Sequence, residues 1–220
     1  MDATADWYRD LENWHGSFLE VAIDLGARDD DRLRAAFTAA WESGFLVGPL
    51  DSPYPDRPRG VPEAPLDPEG SIHTYGTVEL PSTGRRVGCE VLSVRDDESD
   101  WLDVAFPTGM LGLAYPVEYP LFDDTNPWIA GVERLLVSIA NHIYTAVPFD
   151  LATVGEEVSG LFYANSSSAT RAITRDVVDR GGGFLLSPRL WERLQPTAIA
   201  EPLASGLRWV PPTGKSPWAA

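Results

Sequence analysis

Residues 17–25 read Ser-Phe-Leu-Glu-Val-Ala-Ile-Asp-Leu. Leu19, Val21, Ile23 and Leu25 fall on one side of an extended chain and Glu20, Ala22 and Asp24 on the other, the period-two alternation of a half-buried β-strand. Gly26 ends the run. Asp29, Asp30 and Asp31 follow, carboxylates suited to accept the free N–H groups of a helix's first turn and to complement its dipole. Leu33, Ala36, Phe37, Ala40 and Trp41 then recur at helical spacing, and Gly44 is placed to close the helix. An alternating strand leading into an amphipathic helix is the unit from which the fold is read.

Upstream, Trp7, Tyr8, Leu11 and Trp14 make one apolar stripe, which predicts a short helical arm over residues 1–16 docked on the main body. Downstream, seven prolines between Pro49 and Pro68 oppose a hydrogen-bonded ladder and predict an extended loop over 45–72. His73–Pro81, Arg85–Val94 and Asp100–Phe106 read as three strands of an antiparallel meander, the first two joined by Ser82, Thr83 and Gly84. The stretch from Pro107 to Asn126 is rich in Leu, Tyr and Phe but broken by prolines, which predicts an irregular segment wrapped over the core. Asn126 as cap and Pro127 in the first turn open the longest predicted helix, 127–146, with Ile129, Val132, Leu136, Ile139 and Ile143 inward. Phe149–Val158 reads as a strand. Ser166, Ser167 and Ser168 open a further helix that Gly181, Gly182 and Gly183 end, and two short apolar pieces precede a tail at 211–220. Together these elements predict one α+β domain spanning 1–220: an antiparallel sheet of five or six strands with the helices at 30–43 and 127–146 packed on one face.

The chain carries 33 acidic against 17 basic side chains, a formal charge of -16. Such a field repels phosphates and anionic headgroups, which argues against nucleic acid and membrane surfaces as partners, and attracts basic proteins. No apolar run reaches the ~20 residues of a membrane helix, and the N-terminus holds acids where a secretory signal holds a basic patch, so the expectation is a cytoplasmic protein of bacterial type. Cys89, the one cysteine, excludes an intrachain disulfide and a multi-cysteine metal centre. It alternates with Val87 and Val91, which marks it as a core residue. Carboxylate pairs lack calcium-loop spacing, Glu156 and Glu157 are expected on opposite faces of a strand, and the three glycines end a helix instead of opening one, so neither a metal, a phosphate loop nor a cofactor is expected.

The leading expectation is a non-enzymatic acidic binding protein that docks or inhibits a basic protein partner, in an immunity-like or regulatory role. Its contact residues are Asp51, Tyr54, Asp56 and Glu63 in the proline-rich loop with Asp96, Asp97, Glu98 and Asp100 at the meander turn, both stretches expected to be exposed. The alternative is a small-molecule enzyme with a pocket between the meander and the long helix, using His73, Tyr75, Glu90 and His142 with a histidine as base. A third reading makes the chain a subunit of a larger assembly, covered at the aromatic arm or at Met110 to Phe122.

Overall fold

The computed structural model describes residues 6–55, 70–95, 99–159, 170 and 173–212. In chain order the elements are α1 (Asp6–Arg9), a 3₁₀ turn (Leu11–Trp14), β1 (Phe18–Gly26), α2 (Asp30–Trp41), β2 (Leu46–Leu50), β3 (Gly70–Glu79), β4 (Arg86–Arg95), β5 (Asp100–Pro107), α3 (Thr108–Gly112), α4 (Ile129–Ala146), β6 (Leu151–Glu156), α5 (Arg175–Arg180), β7 (Phe184–Leu186), α6 (Pro188–Leu194), β8 (Glu201–Pro202) and β9 (Arg208–Val210). The α+β class and the single antiparallel sheet agree with the sequence reading. The sheet is larger than expected, with nine strands among the described residues in the order β2-β3-β4-β5-β1-β6-β7-β9-β8. The additional strands are β2, in what reads as a loop, and the short β7, β8 and β9. Strands of two or three residues carry no alternation to read. They exist because β6 offers its free edge to β7, which in turn pairs with β9. β2 tolerates Pro49 because it is an edge strand, where a missing N–H costs no ladder bond on its outer side.

β1 lies between β5 and β6 and pairs with both. It is buried along both faces, not one. Residues directly opposite one another share a face of the sheet, so the register separates two layers. Val21 lies opposite Val104 and Val154, and Val104 opposite Val91. On the other face, Ala22 lies opposite Asp103 and Thr153.

Helical residues meet the sheet on both sides; the sequence reading named only the helices at 30–43 and 127–146, expected on one face, and these two pack against each other. Trp41 of α2 lies over Gly76, where an added Cβ would come within 2.4 Å of its ring, and its Nε1 donates to Thr74 Oγ1 at 3.2 Å. Gly88, adjacent in sequence to the partner of Gly76 and therefore on the reverse face, is covered by Trp14 and Met110. α4 packs against α2, β1 and β6. A second apolar cluster, built from Ala22, Trp101, Leu151, Phe184 and Leu186 with Val178 of α5 and Leu190 of α6, occupies the reverse face of the C-terminal half.

Several local expectations change in detail. Asp29 caps α2 as the sequence suggests, accepting from the N–H groups of Asp31 and Arg32. Asn126 does not cap α4, which begins at Ile129. Its fully buried amide instead accepts from Glu118 N–H at 2.9 Å and donates to Glu118 C=O at 2.8 Å, closing the preceding loop. A buried amide satisfies whichever backbone groups are buried with it. Leu11 stays exposed because the arm breaks at Asp10, whose carboxylate accepts from Glu12 N–H and starts the 3₁₀ turn. Glu157 departs from the strand with a positive φ of 49°. It and Glu156 therefore both reach the start of β1, at Phe18 N–H and Ser17 Oγ, where opposite faces were expected. Ser166, Ser167 and Ser168 lie outside the described residues.

The approach of Trp41 to β3 is the closest helix–strand contact that a side chain would block. Replacing Gly76 by Val is expected to lower the urea midpoint, corresponding to about 1–3 kcal/mol of overpacking. The m-value is expected to stay unchanged, since the surface exposed on unfolding is the same.

Candidate functional site

The reverse face of β3 carries Ser71, His73 and Tyr75, two residues apart. Tyr75 lies opposite Glu90 and is 1% exposed. Its ring meets Trp14 edge-on at 5.4 Å and Tyr54 at 5.8 Å, Trp14 meets Tyr8 at 5.4 Å, and Tyr8 meets Trp7 at 6.0 Å. Edge-to-face pairs of this kind add about 0.5–1.5 kcal/mol each beyond area burial. Polar tips are satisfied as well, with Trp14 Nε1 donating to Tyr8 C=O at 2.8 Å and the Tyr8 hydroxyl donating to Asp51 C=O at 3.0 Å. Burial, with Asp51 nearby, pushes the Tyr8 hydroxyl well above the usual phenol range. Tyr75 is therefore the anchor on which the N-terminal arm is seated.

Next to this ring cluster, His73 Nδ1 stands 2.5 Å from Glu90 Oε1 and Nε2 stands 2.8 Å from Ser71 Oγ. An ionised Glu90 carboxylate only accepts, so Nδ1 donates to it, and in a neutral imidazole Nε2 then accepts from the serine hydroxyl. Glu90 is buried, His73 half-buried and Ser71 exposed. Three of the sequence candidates, His73, Tyr75 and Glu90, are brought together. His142 is not: it sits half-buried on α4, which packs with α2 on the layer opposite the ring cluster. Ser71 was missed by the sequence reading, although its spacing of two from His73 was the available signal. Cys89 is fully buried, and desolvation pushes its thiol far up, so it is core as expected.

Of the acidic candidates, Asp51 is exposed and Tyr54 half-buried. Asp56, Glu63, Asp96, Asp97 and Glu98 lie outside the described residues. Asp100, expected on an exposed turn, is 1% exposed. It receives Nε and Nη2 of Arg95 at 2.6 and 2.9 Å, while Arg95 Nη1 reaches Asp30 at 2.7 Å. Asp100 also accepts from Asp29 N–H at 2.9 Å. That carboxylate joins the helix start to the sheet and is not available to a partner. Exposed acids elsewhere include Asp6, Asp10 and Glu12 on the arm, and Glu42, Asp123, Glu157 and Glu192 on other elements. Within the apolar segment of the third reading, Met110 and Leu111 are fully buried and Tyr119 and Phe122 exposed.

Two further acids are buried on the central strand. Glu20 Oε1 accepts from Ser159 N–H at 2.8 Å and Oγ at 2.7 Å, and desolvation with Glu157 nearby outweighs those bonds, pushing its carboxyl up to about 7. Asp24 accepts from Gly26 N–H at 2.8 Å and from the Thr170 hydroxyl at 2.7 Å. Among the described residues no group of three or more His, Cys, Asp or Glu side chains is arranged to hold a metal ion, and no helix is long and apolar enough to cross a membrane. No protein-family model, curated protein or solved structure matches the chain.

The carboxyl of Glu133 of α4 is pushed further than that of Glu20, up to about 8, by burial and by Asp123. A raised folded-state value means that the native state holds a proton which the unfolded chain releases near 4.5, so the stability from the protonated form is complete below that pH and lost as pH rises through about 8. Glu20 acts with the same sign in a window ending near 7. Urea titrations of Glu133→Gln should show a variant more stable than the parent by about 2 kcal/mol or more at alkaline pH and nearly equal to it at mildly acidic pH, with the Glu20 contribution left in both.

Proposed function

We propose that the chain is a non-enzymatic acidic binding protein that docks a basic protein partner, in an inhibitory or regulatory role, at the rim of its aromatic arm. The observation that supports this reading is the Tyr8 hydrogen bond to Asp51, which ties the arm to the end of β2. Asp6, Asp10 and Glu12 belong to that arm, whose base is held by edge-on ring contacts, and all three are exposed, as is Asp51. Carboxylates on a rigid base lose little freedom when a cationic side chain arrives. The formal charge of -16 adds long-range attraction that speeds encounter with a basic surface and is screened within about 10 Å at 0.1 M salt. Asp56, Glu63, Asp96, Asp97 and Glu98 belong to the same proposal as candidate contacts.

A fluorescent peptide of alternating Arg and Ala measures this directly by anisotropy. Binding is expected to weaken steeply between about 0.05 and 0.3 M salt and to drop about tenfold in the Asp10→Lys, Asp51→Lys pair. A control pair, Asp176→Lys with Glu192→Lys, changes net charge equally. Equal losses in both pairs mean attraction to charge anywhere on the surface, and the arm is then not the docking site.

A second reading, the enzyme, is favoured by the Ser71–His73–Glu90 line. In it, Ser71 Oγ adds to an acyl carbonyl as His73 Nε2 takes its proton, the carbonyl electron pair moves to oxygen and returns to expel the alcohol or amine, which leaves with the proton from Nε2, and Glu90 holds the Nδ1–H and steadies the imidazolium. A fluorophosphonate probe separates the two readings, because Ser71 Oγ would displace fluoride at phosphorus while His73 takes the proton. Labelling that maps to Ser71 and disappears in His73→Ala supports catalysis. An unlabelled native protein leaves the line as a surface hydrogen-bond network.

A further inference from the structure

A cleft of about 800 Å³ opens beyond the ends of β1, β6 and β7, away from the arm and from the Ser71–His73–Glu90 line. Three arginines line it: Arg32 from α2, and Arg189 and Arg193 from α6. The last two are four residues apart, which puts both on one side of the helix. Two carboxylates, Asp24 and Asp150, also line it, so the wall carries one net positive charge in a chain of formal charge -16. A cationic wall in so acidic a protein runs against its average surface.

The carboxylates are already occupied. Asp24 is held by Gly26 and Thr170, and Asp150 accepts from the Ser187 hydroxyl at 2.6 Å and pairs with Arg189. Arg32 and Arg193 differ from Arg189 in bonding a carbonyl instead of a carboxylate, although the Arg193 charge also acts on Asp150. Arg32 Nη2 donates to Pro148 C=O and Arg193 Nη2 to Thr170 C=O, each at 2.5 Å. A carbonyl fixes the direction of a guanidinium without cancelling its charge, and a guanidinium has five N–H donors, most of which stay available. The wall also contains Tyr144 and Phe149, whose rings meet edge-on at 5.2 Å. Two oriented cations beside an aromatic wall suit a ligand with an anionic head and a flat apolar body.

We propose that this cleft binds a small organic anion, its carboxylate or phosphate group taken by Arg32 and Arg193 and its apolar body laid against Tyr144 and Phe149. Calorimetry with phenyl phosphate and with benzoate tests it, and the tighter of the two identifies the anionic group. The expected result is saturable one-to-one binding of at least one, weaker by tenfold or more in Arg193→Gln and in Arg32→Gln. Inorganic phosphate is expected to bind more weakly than phenyl phosphate, and benzylamine not at all. On the unaltered protein, the ligand that binds should raise the melting temperature with concentration, a readout that needs no variant. The proposal is overturned by absence of saturable binding for both aromatic anions, by affinity indifferent to both arginine substitutions, or by inorganic phosphate binding as tightly as phenyl phosphate.

Discussion

Everything in the molecule is arranged around a strand that has to be covered twice. β1 sits in the middle of the sheet, paired along both edges, and its even-numbered face presents Glu20 and Asp24 as well as Ala22. An ionised carboxylate placed in an apolar layer without partners costs several kcal/mol or takes up a proton. The fold meets this with hydroxyls and N–H groups from Ser159 and Thr170, brought in from the C-terminal half. The odd-numbered face has no such requirement and is packed by ordinary apolar side chains. The two faces of one nine-residue strand therefore impose different chemistry on the layers that cover them.

The surplus of acids has to be divided in the same way. Some of it is structural: Asp29 caps a helix, Asp30 and Asp100 neutralise the buried Arg95, and Asp150 closes on Arg189. Removing one partner of a pair as buried as Arg95 and Asp100 leaves an uncompensated charge, which costs about 3–5 kcal/mol. Glu20, Asp24, Glu90 and Glu133 are buried as well, and the exposed acids among the described residues are spread over several elements, the N-terminal arm included. The net charge alone says nothing of this division. A carboxylate joining a helix to a sheet and a carboxylate exposed at the surface have the same letter in the sequence.

Legibility follows how local each cause is. α2 and its cap, the meander of β3, β4 and β5 and the buried Cys89 all come from spacing within about ten residues and are readable, whereas the stretch after β5 reads as irregular and hides the short helix α3. The strand β2 was hidden by its proline, and β7 to β9 by their shortness, because strands so brief are held by neighbours and not by their own pattern. Asn126 looked like a helix cap since caps and loop closures use the same amide. Residue type alone groups His73 and Glu90, but it gives no weight to Ser71 and adds His142 to them, because distance across layers has no trace in the chain.

Periodicity and charge were enough to establish an α+β chain with an antiparallel sheet, since alternation and helical spacing act between near neighbours. Contacts between residues far apart in the chain decided the rest: which acids are buried, that the arm rests on Tyr75, that His73 meets Glu90 and not His142, and that three arginines share one cleft. Strand register and layer packing set those meetings, and both depend on how all nine strands settle against one another at once.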